Sequence, residues 1–299
     1  MNFDFSEEQL FIRDQARNFL SQECPAEVVR SVLDSQQSYH QDLWQQIVEL
    51  GWTAMAIPEE FGGLGLGYLE LCVVAEELGR ALAPVPFSSS VYLATEAIKA
   101  WGSQAQKSHY LPKLASGEFI GTLATSEGLG ALAIHSRVEQ GKLHGKKVPV
   151  PDGDIADFAV VIATDANDNT GLYLADLTAA GVARTTLSSM DPSRSQASLE
   201  FDAVAVEKLG TDTDGRLALS ELQDRAAVLF AFEQIGGGQA ALDMGMAYTR
   251  ERYAFGRAIG QDQTPASARV PGVLRQRLKP DSRLSKRGPV RREEEFDAL

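Results

Sequence analysis

The texture of the chain changes twice along its length, and those two changes constrain the fold more than any single motif. Up to about residue 118 the apolar residues keep helical spacing. Ser6 and Gln9 have the spacing of a capping box, with Ile12, Ala16, Phe19 and Leu20 on one stripe behind them. Leu43, Trp44, Ile47 and Leu50 mark a second helix over 41–50. The spacing predicts a third over 68–82, stopped by Ala83-Pro84-Val85-Pro86, and a fourth over 91–101. Short β-branched or alternating runs then take over at 119–125, 158–164, 171–175, 182–187 and 197–206, separated by turn chemistry such as Pro151-Asp152-Gly153. Helical pattern returns over 217–252, a segment long enough to be a member of a bundle. Helices, then strands, then a long helix make a multidomain α+β protein, with a helical N-terminal domain, a β-sheet or barrel middle domain and a helical C-terminal part.

Composition narrows the function classes. Lys+Arg 28 against Asp+Glu 41 leaves a net charge of −13, which disfavours a phosphate-backbone binder, so no nucleic-acid partner is expected. No apolar run reaches the roughly 18 residues of a membrane helix. The acidic opening lacks the basic start and apolar core of a signal peptide, so a soluble, cytoplasmic protein is expected. Cys24 and Cys72 lie far apart, without metal-like spacing. His40, His109, His135 and His144 never pair at i, i+3 or i, i+4, and no metal site is expected. Residues 262–299 hold nine Lys/Arg against six Asp/Glu with no sustained apolar period, which predicts a disordered tail.

Three local features carry candidate chemistry. Gly62-Gly63-Leu64-Gly65 is a loop, and the adjacent Glu59 and Glu60 read as solvated. Gly236-Gly237-Gly238 lies inside a helical pattern with no strand before it, so it is a place where a neighbouring helix or a ligand approaches closely rather than a phosphate loop. Arg252-Tyr253-Ala254-Phe255-Gly256-Arg257 combines guanidinium forks with aromatic faces, which suit phosphates and planar rings.

Five segments in this order, covering about residues 1–261, resemble the acyl-CoA dehydrogenase family. They are Phe5-Ser6-Glu7-Glu8-Gln9-Leu10, Pro58-Glu59-Glu60-Phe61-Gly62-Gly63-Leu64-Gly65, Glu76-Glu77-Leu78-Gly79-Arg80, the run from Tyr110 to Gly117, and Arg252-x-x-Phe255-Gly256-Arg257-x-Ile259-Gly260. The resemblance implies domains at 1–118 (helical), 119–212 (β) and 213–261, the last being the first helix of an incomplete C-terminal helical bundle, followed by the tail at 262–299. It implies FAD as cofactor, an acyl-CoA thioester as substrate, and α,β-dehydrogenation: a carboxylate removes the α-proton while hydride leaves the β-carbon for the flavin. It also implies a homo- or hetero-oligomer with a homologous subunit, and an electron-transferring flavoprotein as electron acceptor.

Carried over residue by residue, the resemblance assigns Leu123, Thr125 and Ser126 to a first flavin-contacting stretch, and Pro149, Val150 and Pro151 to a second, where the family has Trp-Ile/Val-Thr. Arg252, Phe255 and Gln263 match positions that reach FAD, and Leu132 falls in the substrate-contacting continuation of the first stretch. The early position for the catalytic base falls at about Ala226, with Asp224 and Glu233 as neighbouring acids, and no base is assigned. A truncated or frame-disrupted member is therefore expected, with a non-catalytic subunit of a hetero-oligomeric dehydrogenase as the alternative.

Overall fold

The structure, a computed structural model, describes residues 5–35, 37–128, 134–210, 214–254 and 256–261. Helix α1 (Glu7–Glu23) starts on the expected box: the Ser6 hydroxyl accepts the Gln9 N–H, and the Gln9 side chain accepts the Ser6 N–H. Helices α2 (Ala26–Leu33), α3 (Gln41–Glu49) and α4 (Tyr68–Ala81) follow. Next comes a run of wide, π-helical turns, Ser88–Thr95, leading into α5 (Glu96–Trp101) and then α6 (Gln104–Ala115). The fourth expected helix thus begins three residues early, where consecutive serines gave no apolar period. Helices α2 and α6 went unread; α2 is only eight residues long, and α6 carries an internal Pro112.

The strands are β1 (Gly121–Ala124), β2 (Arg137–Glu139), β3 (Lys142–Pro151), β4 (Phe158–Thr164), β5 (Thr170–Asp176), β6 (Val182–Thr186) and β7 (Gln196–Lys208). Strand β5 bonds both β4 and β7, while β2 bonds both β3 and β4, so the path closes into a ring, with β1 attached to β4 and β6 to β7. Strand β3 was not expected, because its two prolines cannot donate to a ladder. The structure accommodates them by a register shift between Lys147 and Val150, so that Pro149 falls in an irregularity and Pro151 at the strand's last residue.

Helix α7 (Gly215–Glu251) closes the described fold together with the short hairpin β8 (Tyr253–Ala254) and β9 (Arg257–Ala258). One compact unit comprises residues 1–240 and a second begins at Ala241. Within the first, the core runs without interruption from Leu20, Trp44 and Ile47 through Phe87 and Tyr92 to Val150, Val161 and Phe201 of the sheet, and on to Ala226 and Leu229 of α7. Gly236 is where α7 meets α4: a Cβ there would overlap the Glu76 carbonyl oxygen, and one on Gly79 would overlap the Glu233 carbonyl. The expected close approach is therefore that of a helix. Among the described residues no helix is long and apolar enough to cross a membrane.

Candidate functional site

The two stretches assigned to the cofactor lie side by side. The Val148 N–H donates to the Ser126 carbonyl at 2.8 Å, and the Thr122 hydroxyl donates to the Pro151 carbonyl at 2.5 Å. Leu123 and Val150 turn into the core, whereas Thr125, Ser126 and Pro151 are half-buried and Pro149 is exposed. Leu123 and Val150 thus spend their side chains on packing, and only their backbone faces remain for a ligand. Arg252, in the second unit, is exposed, and its carbonyl accepts the Ile259 N–H. Leu132, Phe255 and Gln263, with the tail at 262–299, lie outside the described residues.

Beneath these stretches sits a buried ion pair that sequence reasoning missed. The Lys147 side chain is fully buried and its Nζ lies 2.6 Å from Glu127 Oε1. Glu127 also accepts the Ser136 N–H, the Ser136 hydroxyl and, at 2.7 Å, the His135 N–H. Burial would raise this carboxyl, but the hydrogen bonds from Lys147, Ser136 and His135 outweigh it and hold the group at about 2. For Lys147 burial prevails over the attraction of Glu127, and its ammonium sits below the ordinary lysine range. The pair fixes Glu127 and residues 135–136 against β3. The sequence carried no local signal for it, since Lys147 follows His144-Gly145-Lys146 and only borders the apolar run Val148-Pro149-Val150-Pro151.

A second network joins the π-helical run, the turn after β3, the turn before β7 and α7. The Tyr92 hydroxyl donates to Glu233 Oε1 at 2.9 Å, and Arg194 pairs with Glu233 at 3.1 Å while donating to the Ser88 hydroxyl at 2.8 Å. Phe230 packs edge-on to Tyr92, and Tyr92 edge-on to Phe87. Ala226, at the place matched to a catalytic base, is buried on the same face of α7 as Leu222 and Leu229. A methyl group takes no proton. Glu233, two turns further on, is held as the ion-pair partner of Arg194 and the acceptor of Tyr92. Asp224 is exposed.

The donor set tests whether FAD fits. Thr125 and Ser126 bring two hydroxyls to the half-exposed side, and prolines at 149 and 151 give flat apolar surface suited to a planar ring. Pro149 and Pro151 have no N–H, and the Pro151 carbonyl is already bonded to Thr122. The residues present fit the body of an isoalloxazine, and among the described residues the side-chain donors for its polar edge come from the β1 side. His135 and His144 line one shallow cavity with Arg137 and Glu139, but among the described residues no three side chains gather as metal ligands.

Residues 6–118 match the family model described as acyl-CoA dehydrogenase, N-terminal domain. The chain is 33% identical over 259 residues to the acyl-CoA dehydrogenase IpdE2 of Mycolicibacterium smegmatis, a match that covers 86% of this chain and 70% of that protein. The solved glutaryl-coenzyme A dehydrogenase–glutaryl-CoA complex superposes with a TM-score of 0.85 at 26% identity, covering 92% of this chain and 75% of the other. The ChsE4-ChsE5 complex from Mycobacterium tuberculosis gives 0.82 at 26% identity, covering 92% and 75%.

Proposed function

The chain belongs to the acyl-CoA dehydrogenase family, and from that premise we propose that it serves the FAD-dependent α,β-dehydrogenation of an acyl-CoA thioester, assembled with a homologous subunit. The observation that carries this reading is the pairing of 122–128 with 147–151, which brings the stretch holding Thr125 and Ser126 beside the one holding Pro149 and Pro151. Bound there, FAD supplies the hydride acceptor that no amino-acid side chain provides. Thr125 and Ser126 would offer hydroxyl donors to the cofactor, and Pro149 and Pro151 would give it apolar surface. The Glu127–Lys147 pair holds both stretches in register. Arg252 offers a guanidinium for the phosphates of a neighbouring subunit's FAD.

A second reading, a non-catalytic subunit completing the site of a competent homologue, is favoured by one particular observation. The place that the family resemblance matches to the base falls at about Ala226, which is buried, and the nearest acid on that face, Glu233, is committed to Arg194. In that reading the α-proton goes to a carboxylate of the homologue, and an electron-transferring flavoprotein takes the electrons onward.

The test is flavin absorbance of the purified chain, alone and co-expressed with a full-length homologue, followed by anaerobic bleaching with a panel of acyl-CoA thioesters. Bleaching by the chain alone supports the first reading. Bleaching only in the co-expressed sample selects the second. Absence of flavin from both samples overturns the two together. In a flavin-containing sample, Arg252→Ala should lower the flavin-to-protein ratio, and an unchanged ratio would remove Arg252 from the site.

A further inference from the structure

We propose that in mildly acidic solution Asp152 carries a proton in the folded chain and donates it to Ser89, making it a positioning residue that fastens the end of β3 to the π-helical run. Asp152 immediately follows Pro151, is 1% exposed, and sits in the left-handed region at φ +51°, which aspartate and asparagine tolerate better than most residues.

Counting protons decides its state. The Ser89 hydroxyl lies 2.5 Å from Asp152 Oδ2 and 3.1 Å from the Pro86 carbonyl, yet it has one hydrogen for the two acceptors. The Ser195 hydroxyl lies 2.6 Å from Asp154 Oδ1 and 3.3 Å from Asp152 Oδ1, again with one hydrogen. An ionised Asp152 would therefore share two hydroxyl protons with competing acceptors. A protonated Asp152 donates to Ser89, Ser89 donates to Pro86, and Ser195 donates to Asp154, so every short contact has its hydrogen. Asp154 is separately supplied by the Ser38 hydroxyl at 2.5 Å and the Thr186 hydroxyl at 3.2 Å.

The charges around Asp152 agree with that assignment. Asp154 stands in the same turn. From the turn before β7 comes Arg194, whose guanidinium is bonded to Ser88 and Glu233. Tyr92 of the π-helical run and Glu233 of α7 face Arg194 from the far side. Arg184 of β6 donates to the Asp154 and Ala156 carbonyls. Arg194, the cation whose charge acts on Asp152 among the described residues, is thus already paired with Glu233. Burial raises the Asp152 carboxyl to about 6, against the opposing pull of Ser89, Arg194 and Ser195. A carboxyl raised in the folded state stabilises the fold at low pH, and that contribution is lost as pH rises through the folded value.

The full 299-residue chain, labelled with ¹³C at the aspartate carboxyls, tests this directly. One resonance should titrate near pH 6, reporting a proton held about a hundredfold more tightly than by an ordinary aspartate, and it should vanish in Asp152→Asn. Asn donates to Ser89 as the protonated acid does, so Asp152→Asn should match the wild-type urea midpoint at pH 5 and equal or exceed it at pH 7.5, whereas Asp152→Ala should fall below wild type at pH 5. No aspartate titrating above the ordinary range would overturn the proposal. So would an Asn variant weaker than wild type by the same margin at both pH values, which is the behaviour of an ionised partner of Arg194. Should the Asn variant fail to fold, the wild-type titration decides alone. None of these outcomes depends on flavin or on turnover.

Discussion

At the residue scale the decisive positions are those where a charge is buried. Lys147 is held inside the sheet by a single carboxylate, and removing one member of such a pair leaves the other uncompensated. Glu127→Ala should therefore cost about 3–5 kcal/mol, read from the urea midpoint. The double variant Glu127→Gln with Lys147→Met should recover most of that loss, since glutamine still accepts the His135 and Ser136 amides. The pH dependence has the opposite sign to that of Asp152. Glu127 is depressed from an ordinary 4.5 to about 2, so its contribution is complete above about 4.5 and is lost as pH falls towards 2. Acid unfolding of the double variant should accordingly begin at no higher pH than in wild type, while Glu127→Ala is weakened throughout. These residues were poorly legible in the sequence. Glu127 follows the stretch matched to the cofactor and carried no assigned role, and Asp152 read as a turn residue, because nothing local says which hydroxyls a fold will bring to a carboxylate.

At the element scale the reading succeeded where periodicity or capping is strong. The Ser6 box, α3, α4, β4 and α7 lie within a residue or two of expectation, because apolar spacing and turn punctuation are properties of the segment itself. Strand β3 was hidden because its pairing depends on β7, more than forty residues downstream, which tolerates the prolines through a shift in register. The three glycines of α7 were recognised as a contact, and the structure separates them. Gly236 meets the α4 backbone, while nothing lies within 4 Å of a Cβ added at Gly238. Gly236→Ala must push the two helices apart and should destabilise by about 1–3 kcal/mol. Gly238→Ala, exposed and unopposed, should instead gain up to about 1 kcal/mol from helix propensity. Paired urea titrations of the two variants check both signs; equal effects would refute the crossing.

At the scale of the whole molecule, family membership explains why a helical segment, a strand module and a long helix follow one another in this order, and the five segments that carry the resemblance are spread along nearly all of the described chain. Of the candidate site, the two stretches holding Leu123, Thr125 and Ser126 and Pro149, Val150 and Pro151 could be named from the sequence, but not their adjacency nor the neighbouring network, because Arg194, Tyr92 and Glu233 come from segments separated by at least 39 residues. The ring closure of the sheet has a consequence for how the molecule opens. Strand β4 is buried at all seven positions and bonded to β5 along its length, to β1 over Phe158–Val161 and to β2 at Thr164, so its amides reach solvent only when the ring itself parts. In deuterated buffer those amides should be among the last to exchange, all at one common free energy, so that a single isotope-labelled strand becomes a gauge of global unfolding for every variant named above.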